Sequence, residues 1–304
     1  MAKMAGVAKA SVRGWFFILL VLGVGRVGAA ENPADWTTPI APFPIADGLY
    51  YVGSKDLASY LVVTPAGDIL INSSLESSPA LIEKSVEALG FRFTDIKILL
   101  ISHAHSDHDA GSAAILKATG AKYMVMDGDV ATVESGGAAD FAYPKDRYPS
   151  AKVDRVLHDG DEVRLGGAVL TAHKTAGHTR GCTTWTMRAV LDGQPRDVVI
   201  VGSWNVNPGF RLVDRPAAAG KPGQSASYPG IAADYRRTFT VLRGLPCDIF
   251  LGAHGQYFDM LGKLEKAKAG AGESVWIDPE GYREAVAERE QAFEAELRRQ
   301  EGGR

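Results

Sequence analysis

Hydrophobic residues along this chain fall into short runs separated by turn-forming clusters, and their period switches between two and 3.6. Leu49 to Val52, Tyr60 to Thr64 and Ile69 to Asn72 are strand-like, with Pro65-Ala66-Gly67-Asp68 as a turn, so an antiparallel meander is expected. Ser78-Pro79 then opens a helix, because serine is a good N-cap and proline is tolerated at the first helical position. Leu81, Ile82, Val86 and Leu89 form its apolar stripe, and Gly90 ends it. Ile96 to Ile101 is apolar and β-branched, which predicts a buried strand. Gly111 to Thr119 reads as a helix, Lys122 to Met126 as a strand and Asp129 to Glu134 as a short helix.

Gly136 to Ser150 breaks the pattern. It is polar and rich in turn residues, with Phe141, Tyr143 and Tyr148 spread through it, and reads as a loop placed to overhang a site. The second half repeats the outline of the first. Strand-like runs at Arg155 to Leu157, Val163 to Leu165, Val169 to Lys174, Thr183 to Met187 and Val198 to Val201 precede a helix at Ile231 to Leu242. A last core strand, Ile249 to Ala253, runs into His254. Asp278-Pro279-Glu280 then caps a helix with Tyr282, Val286, Phe293 and Leu297 on one face. Strands then helices, twice over, predict an α/β fold of the αββα type: a four-layer sandwich with two facing sheets and helices outside.

The N-terminus changes how much chain must fold. Lys3, Lys9 and Arg13 precede an apolar run from Trp15 to Val24, and Gly28-Ala29-Ala30 offers small residues for cleavage before Glu31. Residues 1–30 are therefore expected to be a secretory signal peptide and residues 31–304 one catalytic domain, released into the periplasm. The apolar run is shorter than the roughly 20 residues a membrane span needs, so no membrane attachment is expected after cleavage. Losing that segment removes four basic and no acidic residues, and the net charge falls from −3 to −7. An acidic chain without a basic run is a poor nucleic-acid binder. A monomer acting on a small molecule is expected. The two cysteines, Cys182 and Cys247, lie on apolar segments and are expected to be unpaired thiols.

The chemistry concentrates in Ser102 to Gly111, Ser-His-Ala-His-Ser-Asp-His-Asp-Ala-Gly, directly after the buried strand. His103, His105, Asp107 and His108 suit a borderline-soft cation such as zinc. Residues two apart in an extended segment point the same way, so His103 and His105 can grip one ion while Asp107 and His108 aim at a second. Two more histidines follow strands in the same manner: His178 in Thr175-Ala176-Gly177-His178-Thr179, and His254 in Gly252-Ala253-His254-Gly255. The partition that results is His103, His105 and His178 for one zinc, and Asp107, His108 and His254 for the other, with open positions left for water. His158 and His173 remain as ordinary surface or strand residues.

With those residues in hand, the chain resembles the metallo-β-lactamase superfamily, and most closely the class B β-lactamases of the third subclass. The segments that carry the likeness are Ser102 to Gly111, Ala121 to Asp127, Leu157 to Asp161, Ala176 to Met187, Asn205 to Leu212 and Leu245 to Gly255. The resemblance implies a two-zinc hydrolase that opens the β-lactam ring of penicillins, cephalosporins and carbapenems and confers antibiotic resistance. In it, Asp107 orients the attacking water, which the two cations make acidic enough to ionise near neutrality. Many superfamily hydrolases place a bridging Asp, and the other two β-lactamase subclasses a Cys, where this chain has Ser203 in Val201-Gly202-Ser203-Trp204. The resemblance implies that His108 replaces that ligand and that Ser203 contacts the water or the substrate. Trp204 is bulkier than expected there, so it narrows the pocket or alters its rim. Ser102, Asp109, Thr179 and Ser203 are candidates to hold the imidazoles in place. The alternatives are a lactonase or thioesterase on the same scaffold, or an exported zinc-binding protein without activity.

Overall fold

The computed structural model describes residues 32–217 and 222–302. The expected signal peptide lies outside the described residues. From Pro33 onward the chain forms one compact unit. In order, its elements are β1 (Phe43–Ala46), β2 (Leu49–Tyr51), β3 (Tyr60–Thr64), β4 (Gly67–Ile71), α1 (Pro79–Ala88), β5 (Ile96–Leu100), α2 (Ser106–Asp109), α3 (Ser112–Thr119), β6 (Lys122–Met126), α4 (Val130–Glu134) and β7 (Arg155–Leu157). There follow β8 (Glu162–Leu165), β9 (Ala168–Lys174), β10 (Thr183–Leu191), β11 (Gln194–Val201), α5 (Ile231–Gly244), β12 (Ile249–Gly252), α6 (Met260–Lys266) and α7 (Pro279–Glu301).

The strands form two sheets. The first runs β1 to β7 in sequence order, antiparallel through β4 and parallel from β4 to β7. The second has the order β12-β11-β10-β9-β8, with only the β11–β12 pair parallel. Alternation within each strand splits the core. In β4 and β5, Ile69, Ile71, Ile98 and Leu100 join a cluster with Leu170, Trp185 and Ile200 of the second sheet. Leu70, Ile96 and Leu99 instead pack on Ile82 and Val86 of α1 and Ile115 of α3. Both faces of these strands are buried, which is why they read as continuous apolar runs. On the far side, Phe293 of α7 stacks on Tyr235 and Phe239 of α5. Helices thus cover the outer face of each sheet, and the expected αββα sandwich is the observed fold.

Several local expectations change. β1 precedes the meander and was not legible, because Pro44 interrupts its alternation. β10 and β11 run on past Met187 and start before Val198, forming a hairpin at Asp192-Gly193, both with positive φ (54° and 70°). An Asp-Gly pair is a strong hairpin signal. Ser78 makes no side-chain cap; its backbone is already helical. Asp278 does cap α7, its side chain accepting the Gly281 N–H at 2.9 Å. Cys182 and Cys247 are both free thiols. No described helix is long and apolar enough to cross a membrane.

The rim that matters is where β5, β6, β9, β11 and β12 end. It is laced across the two sheets. Thr183 N–H donates to Ser102 O at 2.7 Å and Trp185 Nε1–H to Ile101 O at 3.1 Å. Tyr60 Oη donates to Gly252 O at 2.7 Å.

Candidate metal centre

All six expected ligands come together at this rim, and each triad draws on both sheets. His103 and His105 follow β5 and His178 follows β9. Their rings form a nearly equilateral triangle, with centroids 4.8, 4.7 and 4.7 Å apart. One nitrogen from each lies within 4.8 Å of the others. Asp107 and His108 occupy α2, a separate helical turn that the sequence did not announce. His254 follows β12 and closes the second triad. His108 Nε2 lies 3.2 Å from His254 Nε2 and 3.3 Å from Asp107 Oδ2, which is 3.5 Å from His254 Nε2. The rings of His103 and His108 are 4.3 Å apart, so the triads abut.

Two glycines make these approaches possible. A Cβ on Gly111 would lie 2.5 Å from the Ser73 carbonyl oxygen, against which α2 is pinned by the Ser73 N–H to His108 O bond of 3.1 Å. Gly177 has φ +135° and lies flat on the Tyr235 ring, where a Cβ would meet ring atoms at 2.8 Å. Both are backbone positions that a side chain would spoil.

The imidazoles are oriented by groups remote in sequence. His178 Nδ1 lies 2.9 Å from the Asn205 carbonyl oxygen, and His254 Nδ1 lies 3.0 Å from Asp56 Oδ2. A carbonyl and a carboxylate only accept, so each Nδ1 carries a proton and each Nε2 is the nitrogen turned toward its triad. His105 Nε2 lies 3.3 Å from Asp140 Oδ2, in the Gly136 to Ser150 loop. That loop does overhang the first triad: the Tyr143 ring is 5.1 Å from His105, and Tyr148 Oη donates to Ala104 O at 2.9 Å. Of the four support residues expected from sequence, only Ser102 touches an imidazole, its Oγ 3.3 Å from His103 Nδ1. Asp109 instead bonds Ser112 and Tyr123, and Thr179 bonds Asp129. Ser203 Oγ lies 3.2 Å from Tyr257 Oη, which also accepts from Asn205 Nδ2 at 3.1 Å. Trp204 forms no rim; it is buried against Phe250 and Tyr257.

Asp129, which opens a short helix in the sequence pattern, ties the two first-triad loops together. Its buried carboxylate accepts from Ala104 N–H (3.0 Å), Thr179 Oγ1 (2.8 Å) and Gly181 N–H (2.8 Å). Asp56, Asp129, Asp140 and Asn205 carry no local signature that could have marked them. His158 is exposed beside Asp161, and His173 Nε2 lies 2.8 Å from Thr186 Oγ1; neither joins the centre.

Electrostatics differs from imidazole to imidazole: burial opposes charge on His105 but Asp140 raises it, whereas burial lowers His108 despite Asp107. Burial, reinforced by its histidine neighbours, pushes His103 well below the usual imidazole range, and the same causes bring His178 down to about 3. Burial also opposes charge on His254, but hydrogen bonds to Asp107 and Asp56 outweigh it and raise the imidazole to about 9. Burial works against Asp107 as well, and His108 and His254 overcome it, holding the carboxyl well below its ordinary value. The donor set fits a divalent metal: five imidazoles, one ionised carboxylate, and a buried His103 Nε2 that has no hydrogen-bond partner. Left unused, such a buried nitrogen would cost about 1–3 kcal/mol.

The sequence model of the Metallo-beta-lactamase superfamily matches residues 58–254. The chain belongs to that superfamily. Among solved structures, the native FEZ-1 metallo-beta-lactamase from Legionella gormanii is 49% identical with a TM-score of 0.82, over 87% of this chain and 98% of that one. BJP-1, a subclass B3 metallo-beta-lactamase of Bradyrhizobium japonicum, is 35% identical with a TM-score of 0.78, over 89% and 98%. The expected likeness to the third subclass is therefore borne out. A curated metal-dependent hydrolase of Anaeromyxobacter dehalogenans is 31% identical over 144 residues, 47% of this chain and 48% of that protein. That match spans about half of the relative's length.

Proposed function

We propose that this superfamily member is an exported, two-zinc β-lactamase that hydrolyses penicillins, cephalosporins and carbapenems and so confers resistance to them. The observation that carries the reading is the pair of abutting triads, His103–His105–His178 and Asp107–His108–His254, drawn from both sheets. Similarity to the Legionella gormanii enzyme over nearly its whole length supports the substrate class. When bound, the zinc ions would acidify a water and polarise the lactam carbonyl. The chain supplies the rest. Asp107, kept ionised by His108 and His254, accepts a hydrogen bond from the attacking water and aligns it. Asn205 and Asp56 hold His178 and His254 so that their Nε2 atoms face inward. Ser203 and Tyr257 place two hydroxyls next to Asn205 for a polar group of the substrate. No serine or cysteine nucleophile is required, so no acyl-enzyme is expected.

The deciding experiment is steady-state turnover of a penicillin, a cephalosporin and a carbapenem with and without EDTA. Chelation is expected to abolish hydrolysis and added zinc to restore it, with no effect of clavulanate, which traps serine acyl-enzymes. Activity that survives complete metal removal would sink the reading. A hydroxyacylglutathione hydrolase of Cereibacter sphaeroides, 36% identical over 94 residues (31% of this chain and 30% of that protein), favours one alternative, a lactonase or thioesterase. Acyl-homoserine lactone turnover exceeding carbapenem turnover would establish that alternative instead.

A further inference from the structure

The N-terminal arm of the described chain is bound to the second triad. Residues 33–38 run along the turn at residues 54–56. Lys55 N–H donates to Thr38 O (2.9 Å), and Asp56 N–H and Ser54 Oγ both donate to Asp35 O (3.2 Å each). Lys55 Nζ pairs with Asp35 Oδ1 at 2.9 Å. A single 3₁₀ turn, Ala34–Trp36, presents the indole, whose Nε1–H donates to Asp56 Oδ2 at 3.1 Å. That oxygen is the one His254 Nδ1 uses. Gln256 completes the carboxylate's shell, its N–H donating to Oδ1 at 3.1 Å and its Nε2 to Oδ2 at 3.3 Å. The Trp36 ring also lies against the His254 imidazole, centroids 5.8 Å apart.

We propose that Trp36 is a positioning residue for the second metal subsite: through Asp56 it fixes the orientation of His254, so that Nε2 faces Asp107 and His108. The proposal rests on the reading of that triad as a metal subsite. A carboxylate with donors on both oxygens cannot rotate without breaking a bond, and the imidazole bonded to it is then held in one orientation. Without the indole, Oδ2 keeps His254 and only a longer bond from the exposed Gln256 side chain, which is free to swing away. Neither Trp36 nor Asp56 falls within the residues 58–254 that match the superfamily, so this support comes from outside that span.

The test is cobalt(II) titration of the purified, chelator-stripped full chain, read by visible absorption and by competition with a chromophoric chelator. The equivalent lost in His254→Ala identifies the second subsite. Trp36→Phe keeps an aromatic ring and removes the N–H. It is expected to weaken the second equivalent about tenfold and shift its spectrum, with the first equivalent unchanged; Asp56→Asn should weaken the second by up to about a hundredfold. Parent-like affinity and spectrum for the second equivalent in Trp36→Phe overturn the proposal and leave the two-metal reading standing. So does equal weakening of both equivalents, which would mean a general disturbance of the fold. A parent chain that takes up only one equivalent overturns the two-metal reading itself, and this proposal with it.

Discussion

The two triads share a rim and a plan, one sheet supplying two side chains and the other supplying the third, yet they differ in charge. The first is three imidazoles, and burial keeps His103 and His178 neutral near pH 7. The second encloses an ionised carboxylate, and its His254 holds a proton up to about pH 9. Any ion held by the second would meet Asp107 and would have to displace the His254 proton. Their supports differ too. Asp129 clamps the backbone of the first, whereas Asp56 holds a side chain of the second.

Asp107→Ala removes the one carboxylate among the six proposed ligands and is the sharpest way to break this contrast. Turnover of nitrocefin should fall by about a hundred- to a thousandfold, the scale of losing an electrostatic group aimed at the reaction. Near-full activity would mean that the charged triad has no special part. Asp129→Ala comes next. It strips three buried donors of their acceptor, at about 1–3 kcal/mol for each left unsatisfied. The melting temperature should drop by several degrees, and metal affinity should fall at the first subsite more than at the second. Equal affinities for both subsites in this variant would refute the clamp.

The His254 and His178 imidazoles should also respond to pH with opposite sign in chelator-treated protein. The His254 imidazole is raised in the fold, so its contribution is complete below about 6.5 and is lost as pH climbs through about 9. The span is worth up to about 3 kcal/mol. The His178 imidazole is depressed in the fold, so its contribution is present above about 6.5 and is lost as pH falls toward about 3. Melting curves from pH 5 to 9 should therefore flatten on the alkaline side in His254→Gln and on the acid side in His178→Gln. Profiles unchanged in both variants would remove the electrostatic distinction. The smallest effect is expected from Ser203→Ala. Its hydroxyl shares one hydrogen bond with Tyr257, so kcat/KM should change by less than about tenfold. A hundredfold loss in kcat would instead put Ser203 in direct contact with the reacting atoms.

What the sequence determined by itself was which six side chains meet at the rim, and most of the framework. A run such as Ile96 to Leu100 is buried on both faces, and its composition says so; His103 and His105 share a direction because they are two residues apart. Such signals lie between neighbours in the chain. The tertiary structure alone decided how the ligands are held. Asn205 reaches His178 across 27 positions and Asp56 reaches His254 across 198. A carboxylate or a carbonyl there looks like any other until the sheets dock. Asp109 and Thr179, which sit beside ligands in sequence, serve Tyr123 and Asp129 instead. The physical reason is that an imidazole has two nitrogens facing opposite ways. The one turned toward the metal is placed by local backbone, and the one turned away meets whatever the rest of the fold brings to it.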